Sequence, residues 1–184
     1  MRLNSIINKS YSGNSGIKVW ITFIIFMLFI LFILPSEASR SAHYFGDTTA
    51  PDTSFIYSGE DLYHIARNFG PEGRAYYIRS RFTFDIIWPL AYGLFLWSAI
   101  AFFLQKLKDP RARYLVLLPI LGVALDFFEN SGASLVMFMY PEKIPSLLYI
   151  VPLFTMAKWL SIGASFLVLI LLIINHGIGF FKSG

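Results

Sequence analysis

Residues 114–140 read YLVLLPILGVALDFFENSGASLVMFMY, an apolar run with Asp126, Glu129 and Asn130 at its centre. At ~1.5 Å of rise per helical residue it exceeds the ~30 Å of a bilayer's hydrocarbon core, so the stretch predicts a transmembrane helix with polar groups at mid-depth. Three further blocks support that reading: 19–34, 82–104 and 145–174. The first is slightly short to span, and the other two span with some tilt. Ordinary soluble domains carry roughly a quarter charged residues. This chain of 184 residues has 14% charged and 56% hydrophobic, more apolar surface than a water-soluble domain of its size can bury.

The expected fold is all-α: a single polytopic membrane domain over 1–184, with four transmembrane helices and an external segment, 35–81, between the first and second. A basic lead before the first block and Ser36-Glu37-Ala38 after it also fit a cleavable signal peptide. The sixteen-residue core exceeds the usual ~7–15, and a retained span is the reading taken.

Basic residues set orientation. Arg2, Lys9 and Lys18 precede the first block, Lys106, Lys108, Arg111 and Arg113 lie between the second and third, and Lys143 alone lies between the third and fourth. Both termini are therefore expected in the cytoplasm, with the protein in the cytoplasmic membrane of a prokaryote. The formal charge of +4 follows from this bias and does not imply a nucleic-acid partner; anionic lipid headgroups are the natural partner of the basic loop.

Within the external segment, Ser58 followed by Glu60 and Asp61 is a helix start, and Leu62, Ile65, Ala66 and Phe69 form an apolar stripe that Gly70-Pro71 ends. A short amphipathic helix on the outer face is expected there, then a helix from Pro71 through Arg81 into the second span. Ser36–Thr53 reads as a polar loop without a period.

Charge inside transmembrane helices is expensive and faces the bundle interior or a water-filled cavity. In the third span Gly122, Asp126, Glu129, Asn130, Ala133 and Met137 share an arc of roughly 100°. In the fourth, Thr155, Lys158, Ser161, Ile162 and Ser165 share a face; in the second, Arg81, Asp85, Trp88, Pro89 and Tyr92 do. Counting depth from the outer ends pairs Asp126 with Lys158 and sets Glu129 level with Tyr92 and Thr155. Asp85 falls to Arg81 one turn away. Glu129 is then left without a cation and is expected to take up a proton instead of staying charged.

The candidate ligand- or proton-binding residues are therefore Asp85, Tyr92, Asp126, Glu129, Asn130, Thr155 and Lys158. His43 and His64 lack a second ligand at metal spacing, so no metal site is expected. Cysteine is absent, which excludes thiolate chemistry and disulfides. No GxSxG, HExxH, Walker or dinucleotide-binding pattern occurs, so neither a catalytic residue nor a cofactor is named. An outer helix after the first of four spans, an acid then a proline in the second (Asp85, Pro89) and a short basic loop are similar in layout to sterol-isomerase-like and sigma-2-receptor-like membrane proteins. That likeness is one of arrangement and carries over no functional residue.

Three functions fit the polar stripe, in this order. The first is binding of a lipid or other apolar small molecule, in a pocket toward the outer leaflet with Glu129, Asp126 and Lys158 at its base and Asp85 at its mouth. The second is a proton-coupled carrier component, and the third a structural or assembly subunit that pairs with another membrane protein. The topology beneath all three is testable: a reporter fused after Lys108 should be cytoplasmic and one within 47–53 external. The reverse pattern would invert every depth used above.

Overall fold

In the computed structural model, which describes residues 15–107 and 111–182, the chain is helical with no strand among the described residues. Arg2, Lys9 and Lys108, counted above for orientation, lie outside them. Three stretches are long and apolar enough to cross a membrane: Gly16–Phe45, Gly70–Leu104 and Pro145–Ile178.

Helix α1 occupies the first of these, Gly16–Phe45. Pro35 removes an N–H from its hydrogen-bond ladder, and a π turn at Phe29–Ile33 just before it lets the helix continue. The polar loop expected over Ser36–Thr53 is thus helical as far as Phe45. Its polar composition hid a face: Ala38, Ala42 and Phe45 recur at helical spacing, Phe45 stacks on Phe69 at 4.0 Å, and Tyr44 stacks on Tyr76 at 4.2 Å. Gly46, at φ 57°, ends the helix where a side chain would be strained.

A single 3-10 turn, Pro51–Thr53, with Pro51 buried, tucks the following segment inward. Helix α2 (Gly59–Asn68) begins at a capping box: Ser58 Oγ accepts from the Asp61 N–H at 3.1 Å, and Asp61 accepts from the Ser58 N–H at 2.8 Å. Leu62 and Ala66 are buried on its inner face. Helix α3 (Gly70–Arg81) starts on Pro71 and is set off from α4 (Phe84–Leu104) by a turn at Phe82–Thr83. Helices α5 (Leu117–Met139) and α6 (Pro145–Lys182) form an antiparallel hairpin with the most extensive packing in the molecule.

Small residues allow this close approach. A Cβ on Gly132 would lie 2.6 Å from Val151 Cγ2, and one on Gly122 would lie 3.1 Å from Ile162 Cγ1. Two apolar clusters result. One gathers Phe26, Phe95, Leu96, Ile100, Val116 and Leu169 from α1, α4, the turn before α5, and α6. The other gathers Phe45, Leu62, Phe69, Tyr77, Met137 and Val151 around α2 and α3. Between them on α5 and α6 fall Asp126, Glu129, Thr155 and Lys158, all buried.

Helix α2 meets α6 closest at Gly59, where a Cβ would sit 2.2 Å from the Leu148 carbonyl oxygen. Gly59→Ala should force the two helices apart and cost ~1–3 kcal/mol, the range for overpacking, read as a lower melting temperature in detergent. Gly163→Ala is the control, because a Cβ there meets nothing within 4 Å. Equal melting of the two variants would show that α2 is not seated on α6.

Candidate functional site

All seven candidate residues belong to one belt of buried polar groups between the apolar clusters. Every member of the α5 stripe from Gly122 to Met137 is buried, as its spacing predicts. The partners within the belt differ from the depth count. Lys158 Nζ is in direct contact with Glu129 Oε2 and lies 3.9 Å from Asp126 Oδ1. Glu129, expected to lack a cation, has the nearest one. Tyr92, set level with Glu129, instead donates to Asp126 Oδ2 at 2.8 Å.

Side-chain direction explains the exchange. The contacts of Gly132 with Val151 and of Gly122 with Ile162 place Asp126 opposite Lys158 along the backbones, as the count implies. Each Cβ leans toward its own helix N-terminus, however, and the two helices run in opposite senses. The Lys158 stem therefore leans toward the outer end while the Glu129 side chain leans the other way, and the two meet. Glu129 Oε1 accepts from Thr155 Oγ1 at 2.7 Å. With Glu129 so occupied, Asp126 takes Tyr92 and the Asn130 side-chain amide, which donates to Oδ1 at 3.0 Å.

The half of the belt beside α3 and the segment after α1 is built on Arg81. It pairs with Asp85 at 2.8 Å, as the one-turn spacing predicts, and its Nη1 also donates to Asp52 Oδ2 at 2.8 Å. Its guanidinium lies 4.3 Å from the centre of the Tyr77 ring. Asp52 was not legible as a site residue. It stands in a stretch without a period, and it reaches the belt because Pro51 is buried and Trp159 Nε1 donates to its backbone carbonyl at 3.2 Å. Tyr57 was missed for the same reason; its hydroxyl is 2.8 Å from Thr155 Oγ1.

Burial acts to raise the Asp52 pKa, but Arg81 and Lys158 outweigh it and hold the carboxyl below the usual carboxylate range. Burial, and then the charge of Glu129, push the Tyr57 phenol up, so it keeps its proton. Among the described residues no cluster is arranged to hold a metal ion. Four carboxyl groups, Asp52, Asp85, Asp126 and Glu129, share two cations, Arg81 and Lys158. A buried group of charges with an acid surplus is balanced by uptake of protons or by a positively charged or hydrogen-bond-donating ligand.

The partner assignment has a direct test. Lys158→Met alone strands a buried carboxylate and should cost roughly 3–5 kcal/mol. Adding Glu129→Gln should recover more of that loss than adding Asp126→Asn, measured by unfolding in detergent. A better rescue by Asp126→Asn would restore the pairing counted from the helix ends. No family model, curated protein or solved structure matches this chain, so the reading of the site rests on its geometry.

Proposed function

We propose that this is a four-span membrane protein that binds a lipid or other apolar small molecule at the outer end of its polar belt. The fourth span is α5. It has 23 residues, Asp126, Glu129, Asn130 and Ser134 are buried on one side of it, and Ile120, Leu121, Phe128 and Phe138 are exposed on the others. That inside-out pattern suits a helix surrounded by lipid. Helix α2, with Leu62 and Ala66 inward and Glu60 and Arg67 outward, serves as the amphipathic helix of the outer face, and the basic bias of the sequence supports a cytoplasmic location for both termini.

The observation that carries the reading is a cavity of about 330 Å³ between the second half of α1 and the α3–α4 junction. Leu34, Ala38 and Phe45 make its apolar wall, and Asp52, Arg81 and Asp85 its polar floor; Glu129, Asp126 and Lys158, expected at the base of the pocket, do not line it. The volume lies at the lower end of small-molecule sites, which are mostly apolar with a few placed polar groups. Asp52 Oδ1 is buried and has no hydrogen-bond partner among the described residues. A ligand head that donates a hydrogen bond or carries positive charge satisfies that oxygen and offsets the acid surplus. Its apolar body lies along α1.

Ala42 lines the cavity and is exposed, so Ala42→Trp fills the space without disturbing a buried contact. Solvent extraction of protein purified in mild detergent, followed by mass spectrometry, should find a molecule retained by the natural sequence and lost from Ala42→Trp at unchanged melting temperature. Asp85→Asn should weaken retention without blocking entry. Identical extracts from all three proteins would defeat the proposal.

A further inference from the structure

We infer that Glu129 is a proton-exchange site served from the outer face through Tyr57 and Thr155, and that loading it hands Lys158 over to Asp126. The inference stands on the hydrogen-bond geometry of the belt and does not depend on the cavity being a ligand site.

Thr155 has one hydroxyl proton and two acceptors within reach: Glu129 Oε1 at 2.7 Å and the Val151 carbonyl at 3.2 Å. A carboxylate paired with Lys158 is the stronger acceptor and the nearer one, so the proton points to Glu129. Thr155 Oγ1 then has only lone pairs to offer Tyr57, which makes Tyr57 the donor in the 2.8 Å bond between them. The three groups form a directed chain, Tyr57 O–H to Thr155 O–H to Glu129 carboxylate. Its two inner members are fully buried, while Tyr57 is only half-buried, so the chain runs from a partly exposed residue into the interior.

Proton entry along this chain balances. A hydronium ion outside gives a proton to Tyr57 Oη as the tyrosine's own proton passes to Thr155 Oγ1 and the threonine's proton passes to Glu129 Oε1. Three O–H bonds form and three break, and the net change is one proton on Glu129. The relay leaves both hydroxyls pointing outward; once Glu129 gives up its proton, Tyr57 and Thr155 turn back, with the Val151 carbonyl as an acceptor for Thr155 on the way, and the starting chain is restored.

Lys158 is what makes the loaded state tenable. Protonating the only partner of a buried ammonium would leave it unpaired at several kcal/mol, but Asp126 Oδ1 stands 3.9 Å from Nζ on the other side. The cation stays countered in both states. The charged and titratable groups around Glu129 are Lys158 on α6, Asp126 on its own helix, Tyr92 and Asp85 on α4, Tyr77 and Arg81 on α3, and Asp52 and Tyr57 in the outer segment. Asp126 keeps its two donors, Tyr92 and Asn130, whichever way Lys158 leans.

The experiment is an acid jump on the full chain in lipid nanodiscs, followed by time-resolved infrared absorption in the carboxylic C=O region. The Glu129 band is the one missing from Glu129→Gln. Tyr57→Phe keeps the ring and removes only the hydroxyl. It should slow the growth of that band by about tenfold or more while leaving its final amplitude unchanged. Thr155→Val should do the same, and Thr155→Ser, which restores a hydroxyl, should recover the rate. Growth of the band at the natural rate in Tyr57→Phe overturns the inference even if Thr155→Val fails to fold, and so does the absence of any band that Glu129→Gln removes. A change of amplitude without a change of rate also overturns it, because a merely structural role shifts the equilibrium alone.

Discussion

The fold depends on how one ammonium group is kept in an apolar interior. Lys158 is 4% exposed, in the middle of the longest helix, and a charge so placed must be countered nearby. Its counter-charges both come from α5, at positions three residues apart on one face, so Lys158 fixes the axial register of the α5–α6 hairpin as well as its own charge. The apolar packing on either side cannot do this. Leu, Val and Ile side chains pack acceptably in several registers, whereas a buried ion pair tolerates a shift of little more than an ångström before its bonds fail. The remaining belt is arranged around that fixed point: Thr155 on one carboxylate, Tyr92 and Asn130 on the other.

Arg81 plays the corresponding part for the outer elements. It joins α3 to α4 through Asp85 and draws in the segment after α1 through Asp52. The Asp52 contact joins buried Pro51 and the Trp159 hydrogen bond in holding the Pro51–Thr53 turn against the long helices. The two cations thus divide the work: Lys158 sets two helices against each other, and Arg81 holds the outer segment on top of them.

Much of this was legible in the sequence, and the part that was not has physical causes. The buried stripe on α5 follows from helical periodicity, which survives any detail of packing. The Arg81–Asp85 pair follows from their four-residue spacing, which the turn at Phe82–Thr83 between α3 and α4 leaves close enough to bond. The partners across helices did not follow, because a depth count places backbones while the direction of each Cβ moves the functional atoms by most of a turn. Lys158 and Glu129 lean toward each other for that reason, and Asp126 is left to Tyr92. Asp52 and Tyr57 carry no periodic signal at all. Their place depends on the path of a connecting segment, and nothing local in Pro51-Asp52-Thr53 announces which helix it meets. Helix α1 ran on past Pro35 against expectation because a π turn absorbed the missing donor, a compensation that composition does not reveal.

Helix α1 is held differently from the others. In its first half only Phe26 is buried; it stacks on Phe95 at 5.0 Å, and Thr22 lies 2.7 Å from Ser98 of α4. The other long spans bury a larger share of their surface within the protein. Within a bilayer the tilt of α1 is therefore governed largely by the thickness of the surrounding lipid, since a loosely packed helix answers hydrophobic mismatch at modest cost. The wall of the cavity belongs to the second half of the same helix, where Tyr44 and Phe45 stack on Tyr76 and Phe69. A thicker or thinner membrane thus acts on the first half, and the π turn at Phe29–Ile33 separates the half that answers to the lipid from the half that shapes the cavity.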